Sequence, residues 1–137
     1  MIGLYQFMAL LVVHWFADFV LQSNWQASNK SKSNVALAQH VITYTTAIGV
    51  AMPAIFFQMD ANAALFLAIN GALHFVTDWC TSRITSRLFM GQFHHPSEGM
   101  PMMKRDFSLH NFFVVVGVDQ LIHQLTLAGT MVWLLGP

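Results

Sequence analysis

The chain of 137 residues is 55% hydrophobic and only 9% charged, with six basic and six acidic side chains that cancel. Soluble domains carry about 25% charged residues, so this composition cannot cover a water-facing surface, and lipid is the expected outer solvent. The charge balance excludes the basic face that nucleic acid requires, and the single cysteine, Cys80, excludes an internal disulfide.

The first apolar run, residues 2–22, reaches the roughly 20 residues that a crossing needs. It lacks the basic start and small-residue cleavage pattern of a signal peptide, so it is read as a retained helix. Residues 24–34 are polar, contain Lys30 and Lys32, and read as a loop with Trp25 as an interfacial anchor. In the second run, 35–57, Ala47, Gly49 and Ala51 permit close helix approach, and Pro53 predicts a kink near its end. A short turn at 58–62 makes the third run, 63–90, its antiparallel neighbour, with wetter last turns carrying Arg83 and Arg87. Residues 91–106 hold two glycines and two prolines and read as a loop. The fourth run covers 109–135. The expectation is a single all-α domain over 1–137, an integral membrane bundle of four transmembrane helices.

All six basic residues fall in the first connection or flank the third. The excess of basic residues in cytoplasmic loops then predicts two cytoplasmic connections and both termini outside. Trp15, Trp79 and Trp133 read as packing or interfacial anchors, and the nine methionines as gap-filling in the core.

The apolar runs carry polar residues that membrane helices rarely hold: His14, Asp18, His40, His74, Asp78, Asp119 and His123. An ionised carboxylate at the bilayer centre costs at least ~2.5–3.5 kcal/mol, so three of them need compensation. Each has a histidine four positions away, the spacing that puts two side chains on one helical face. A stripe Asn70, His74, Asp78, Ser82 runs along the third helix. Counted from the basic side, the groups fall at a roughly shared depth, with Asp119 and His123 deepest.

Four neutral imidazoles and three carboxylates leave three negative charges, which two divalent ions with a bridging hydroxide would balance. The nitrogen and oxygen donors suit Zn, Mn or Fe. A single zinc with three protein ligands and a water is also compatible, the other pairs then orienting the ligands. Asp18, Asp78 and Asp119 are the candidate catalytic carboxylates, one of them left over as general base. Arg83 and Arg87 are weak candidates for gripping a phosphate, against plain anchoring at the basic side. His94, His95 and Glu98 sit in a loop without defined geometry, and His110 falls on the face opposite Asp119.

Three functions remain open. The first is a metal-dependent hydrolase acting on a lipid, lipid-linked or phosphate-bearing substrate at the cytoplasmic leaflet. The second is a divalent-metal or proton transporter, for which four helices would have to form a homo-oligomer. The third is a structural or interaction protein whose His/Asp pairs are inter-helix glue. A transport path predicts polar residues continuing to the outer face, and the outer halves are nearly all apolar.

The stretches His14-Trp-Phe-Ala-Asp18-Phe-Val-Leu-Gln22 and Asn70-Gly-Ala-Leu-His74-Phe-Val-Thr-Asp78 resemble a family of small bacterial and phage membrane proteins catalogued as a domain of unknown function. His40 and Asp119-Gln-Leu-Ile-His123 fit the same pattern. The resemblance implies a bacterial plasma membrane and no particular activity. A looser likeness, to membrane-bound metal-dependent hydrolases that scatter His and Asp over apolar helices, is an analogy.

Overall fold

The computed structural model describes residues 3–57, 59–94, 101–103 and 108–136, with side chains described at all of these except 90–94 and 101–103. His95, Glu98, Lys104 and Arg105 lie outside the described residues, as does the side chain of His94.

Helix α1 spans Leu4–Trp15 and runs on as a π-helical segment, Phe16–Val20, closed by the Leu21 N–H on the Phe16 carbonyl at 3.0 Å. Gln22 therefore lies beyond the helix that the sequence ran through it. The polar stretch after it is not all loop. Ser23 and Gln26 form a reciprocal cap (Gln26 N–H to Ser23 Oγ 3.2 Å, Ser23 N–H to Gln26 Oε1 2.9 Å), and a short helix α2 follows over Asn24–Asn29.

Ser33 caps α3, Asn34–Phe56, by accepting the Ala36 N–H. Pro53 lies inside its last turns, and the helix ends with Phe57 in the left-handed conformation at φ 57°. Asp60 accepts the Ala63 N–H where α4, Ala61–Phe89, begins. The stretch expected to be loop after it contains an antiparallel pair, β1 (Met90–His94) and β2 (Pro101–Met103), with Met90 opposite Met103. Pro101 opens its strand, where a missing N–H is tolerated. Ser108 caps α5, Leu109–Thr130, which also ends as a π-helical segment, Met131–Leu135.

Among the described residues three helical units are long and apolar enough to cross a membrane: Asn34–Phe56, Ala61–Phe89 and Leu109–Leu135. The unit Leu4–Val20 is shorter, at the lower limit of the roughly 17–25 residues that span. Three spans are thus plain from the helices, where the apolar runs alone suggested four.

The long helices pack in chain order, α1 on α3, α3 on α4 and α4 on α5. At Gly71 the backbone of α4 comes so close to α3 that an added Cβ would lie 2.9 Å from Thr45 Oγ1, the close approach that small residues allow in membrane bundles. One end of the bundle is basic: Lys30 reaches Asp78, and Arg83 donates to Asn34 Oδ1 at 2.7 Å. The apolar core fills the other end, from Leu10, Ile48, Met52, Phe66, Leu127 and Met131. Val12, Ile42, Val50, Val76, Leu125 and Trp133 are exposed around the outside, the surface a lipid-immersed bundle presents.

Candidate metal centre

Between the basic end and the apolar core, α1 with its π-helical segment, α3, α4 and α5 all turn polar side chains inward. His14, Asp18, His40, His74, Asp78 and His123 are buried, and Asp119 is partly so. The seven residues singled out from the sequence meet in one place, but not in the pairs their spacing suggested. The closest partners lie across helices. His40 Nε2 is 3.0 Å from Asp18 Oδ1, and His123 Nε2 is 3.1 Å from Asp78 Oδ1. The same-helix separations are longer, 3.8 Å for His74–Asp78 and 3.6 Å for His123–Asp119.

Four of the groups form a cage. One ligand atom each from Asp18, His40, His74 and Asp78 lies within 4.8 Å of all the others. Five of its six edges are 3.0 Å (His40–Asp18), 3.1 Å (His40–His74), 3.4 Å (His40–Asp78), 3.5 Å (His74–Asp18) and 3.8 Å (His74–Asp78). Tetrahedral coordination with bonds of about 2.0–2.1 Å gives ligand–ligand edges of about 3.3–3.4 Å, in the middle of this range. Asp18, Asp119 and His123 form a second such group, so Asp18 belongs to both.

Hydrogen bonds alone satisfy this cage poorly. His40 Nε2 faces Asp18, Asp78 and His74 but carries at most one hydrogen. If it goes to a carboxylate, His74 Nε2 is left against another nitrogen and two more distant carboxylates; if it goes to His74, both carboxylates lose His40 as a donor. The other nitrogens of both rings, His40 Nδ1 and His74 Nδ1, are buried with no hydrogen-bond partner among the described residues. Both rings commit the same nitrogen to a shared point, as lone pairs directed at a cation do. The His74 ring is held by stacking on both sides, against Tyr44 at 3.9 Å between centroids and against His123 at 4.2 Å.

His14 stands apart from both groups. Its Nδ1 accepts from the Tyr44 hydroxyl at 3.1 Å, and its Nε2 donates to Gln120 Oε1 at 3.3 Å. The Gln120 amide in turn donates to Asp18 Oδ2 at 2.8 Å and Asp119 Oδ2 at 3.2 Å. This chain has one consistent direction, Tyr44 to His14 to Gln120 to the carboxylates, and it fixes how Asp18 faces His40. The π-helical segment explains why His14 and Asp18 part company: its wider turn shifts Asp18 off the stripe a regular helix would continue.

Four residues of the site escaped the sequence reading. Tyr44, Gln120 and Thr81, whose hydroxyl donates to Asp119 Oδ1, carry no spacing that marks them. Lys30 reaches in from the end of α2 and places Nζ 2.8 Å from Asp78 Oδ2. From the sequence it marks only sidedness. With it, three carboxylates face one ammonium, and two negative charges remain, which a single divalent ion balances.

A cavity of about 420 Å³ opens beside the cage toward the basic end. Asp18, Asp78 and Asp119 form its floor, and Lys30, Ser31, Ser82 and Ser86 are among its walls. Arg83 and Arg87 do not line it. Arg83 is instead held by Asn34, the Trp79 carbonyl and the face of the Trp79 ring at 4.4 Å.

The family described as "Protein of unknown function (DUF3307)" matches residues 6–135. No curated protein and no solved structure matches the chain.

Proposed function

The chain belongs to the DUF3307 family of proteins of unknown function, and from that starting point we propose that it is a membrane metalloenzyme: a hydrolase with one divalent ion held by Asp18, His40, His74 and Asp78, acting on a lipid or lipid-linked substrate from the cytoplasmic leaflet. The observation that carries this reading is the cage itself, four donor atoms from three helices with five of their six separations between 3.0 and 3.8 Å, on either side of a tetrahedral edge, and too few hydrogens to satisfy them all. The nitrogen and oxygen donors suit zinc, manganese or iron.

When bound, such an ion supplies a Lewis acid and lowers the pKa of a coordinated water. The protein's own groups do the rest. Asp119 lies outside the four-residue cage and on the cavity floor, so it is the carboxylate left to accept a proton. His123, between Asp78 and Asp119, orients both. Thr81 and Gln120 hold Asp119 from two sides.

A one-sided pocket supports an enzyme over a transporter. Beyond the cage Asn70 and Thr130 satisfy each other, with Asn70 Nδ2 donating to Thr130 Oγ1 at 2.8 Å, and the bundle then closes with Leu10, Ile48, Met52, Phe66 and Leu127, all essentially inaccessible. The basic residues at the cavity end set the orientation, cytoplasmic by the bias of membrane loops, with Leu4–Val20 as a fourth, short span.

The test is metal content and turnover on detergent-purified protein. Elemental analysis is expected to find about one divalent ion per chain, and the loaded protein to release product from short-chain glycerolipids in mixed micelles. Asp78→Asn should abolish both. Metal-free wild type would overturn the metal centre. A loaded protein that turned over neither acyl nor phosphate esters would overturn the hydrolase while leaving the centre standing.

A further inference from the structure

The cavity wall has a composition that a neutral ester does not need. Among the described residues Lys30 is its one cationic side chain, and the ammonium is bonded to the same Asp78 oxygen that forms a cage corner. Ser28, Ser31, Thr85 and Ser86 also line the cavity. Two further residues of this wall, Ser82 and Gln22, each hold a side-chain oxygen (Oγ and Oε1) that is covered and without a hydrogen-bond partner among the described residues, so that a turn of the side chain is needed to present it to the cavity; such groups are costly left unsatisfied.

The geometry points to a phosphate-binding subsite, in which Lys30 and the caged ion together hold a phosphate monoester and the Ser82 hydroxyl donates to it. This rests on the metal reading above and narrows its substrate from any ester to a phosphate. The carboxylate floor explains why both cations are needed. Asp18, Asp78 and Asp119 repel an anion, and Lys30 alone offsets one of the three. With the ion in place the floor is neutral, and an ammonium beside a metal suits phosphate oxygens, which take charge-assisted hydrogen bonds. The ligand can be free phosphate or the headgroup of a lipid. Phe19 and Val116 complete the cavity on the side of α1 and α5, and Phe19 is about half exposed on the outer surface, a way out for an acyl chain.

The experiment is equilibrium dialysis of the full chain in detergent with radiolabelled inorganic phosphate and, separately, dihexanoyl phosphatidic acid, with metal content read on the same samples. Lys30→Met keeps the aliphatic stem and removes the charge; Lys30→Arg keeps the charge. Wild type should bind phosphate only when metal-loaded. Lys30→Met should lose at least about tenfold in affinity, the scale of one hydrogen bond to a charged group, and Lys30→Arg should keep most of it. Metal content should hold or rise in Lys30→Met, because a competitor for Asp78 is gone; a fall would make Lys30 a structural prop and overturn the subsite. Tighter binding of the lipid than of inorganic phosphate identifies the headgroup as the source, and equal binding identifies free phosphate. Loaded wild type that takes neither ligand, or Lys30→Met that takes them unchanged, overturns this inference alone. Wild type that never holds metal overturns the reading beneath it as well.

Discussion

His40 Nε2 lies 3.1 Å from His74 Nε2, and each ring leaves its other nitrogen buried without a partner among the described residues. Two imidazoles at this separation share one hydrogen or one cation. The two choices predict different variants. If a cation lies between them, His40→Ala and His74→Ala should each lose most of the bound metal. His14→Ala should keep it, because both His14 nitrogens are occupied by Tyr44 and Gln120. Elemental analysis of the three variants beside wild type checks this. Equal loss in all three would mean that the metal follows the fold instead of the ligands.

A cation bound only by the folded bundle also stabilises it. The gain is RT ln(1 + [L]/Kd), about 2.7 kcal/mol when the free ion is a hundredfold above its Kd. Chelation should therefore lower the thermal midpoint of wild type in detergent, and re-addition of the ion should restore it. His74→Ala, already without its metal, should show almost no response to the chelator. A midpoint that ignores chelation in wild type would count against a structural share for the ion.

How much of this was legible beforehand follows from the range of the interactions. The long helices were plain because apolar runs and polar breaks are local. The seven polar residues that converge were plain because a carboxylate or imidazole in such a run has few innocent explanations. Their partners were not. His40 with Asp18, and His123 with Asp78, are set by how neighbouring helices rotate against each other, which one strand of spacing cannot give. His14 was grouped with Asp18 on the assumption of a regular helix, and the π-helical segment breaks that assumption. Lys30 was hidden by its flexible chain, whose position in a connection says nothing about where the ammonium rests. Helix α2 was legible and overlooked, since Ser23 and Gln26 carry the spacing of a reciprocal cap.

Two glycines separate packing from propensity. At Gly71 a methyl group would meet Thr45 Oγ1 at 2.9 Å, so Gly71→Ala must turn the Thr45 side chain or push α3 and α4 apart. It should cost about 1–3 kcal/mol, the range for overpacking. At Gly117, on the exposed side of α5, an added Cβ meets nothing within 4 Å. Gly117→Ala should therefore stabilise the helix by about 0.5–1 kcal/mol, through backbone entropy alone. Unfolding in mixed detergent–denaturant micelles measures both. Similar values for the two would show that α3 and α4 are not in close contact at Gly71.

Gln120 joins α5 to α1, and its loss should separate stability from metal binding. It accepts from His14, donates to Asp18 and Asp119, and ligates nothing in the four-residue cage. Gln120→Leu fills similar space and removes every one of those contacts. His14 Nε2 and Asp18 Oδ2 then lose their partner, at a cost of about 1–3 kcal/mol for a buried polar group left unsatisfied. Hydrogen bonds between helices in a membrane average about 0.6 kcal/mol and reach about 1.7, so the lower half of that range is expected. Metal content should stay near that of wild type, because Asp18 Oδ1, His40, His74 and Asp78 are untouched. Affinity should fall by about 10–100-fold, the usual effect of removing a group that orients a ligand, since Asp18 can then turn away from His40. A competition titration against a chromophoric chelator reads that change. Complete loss of metal in Gln120→Leu would move Gln120 from orienting Asp18 to holding the ion itself.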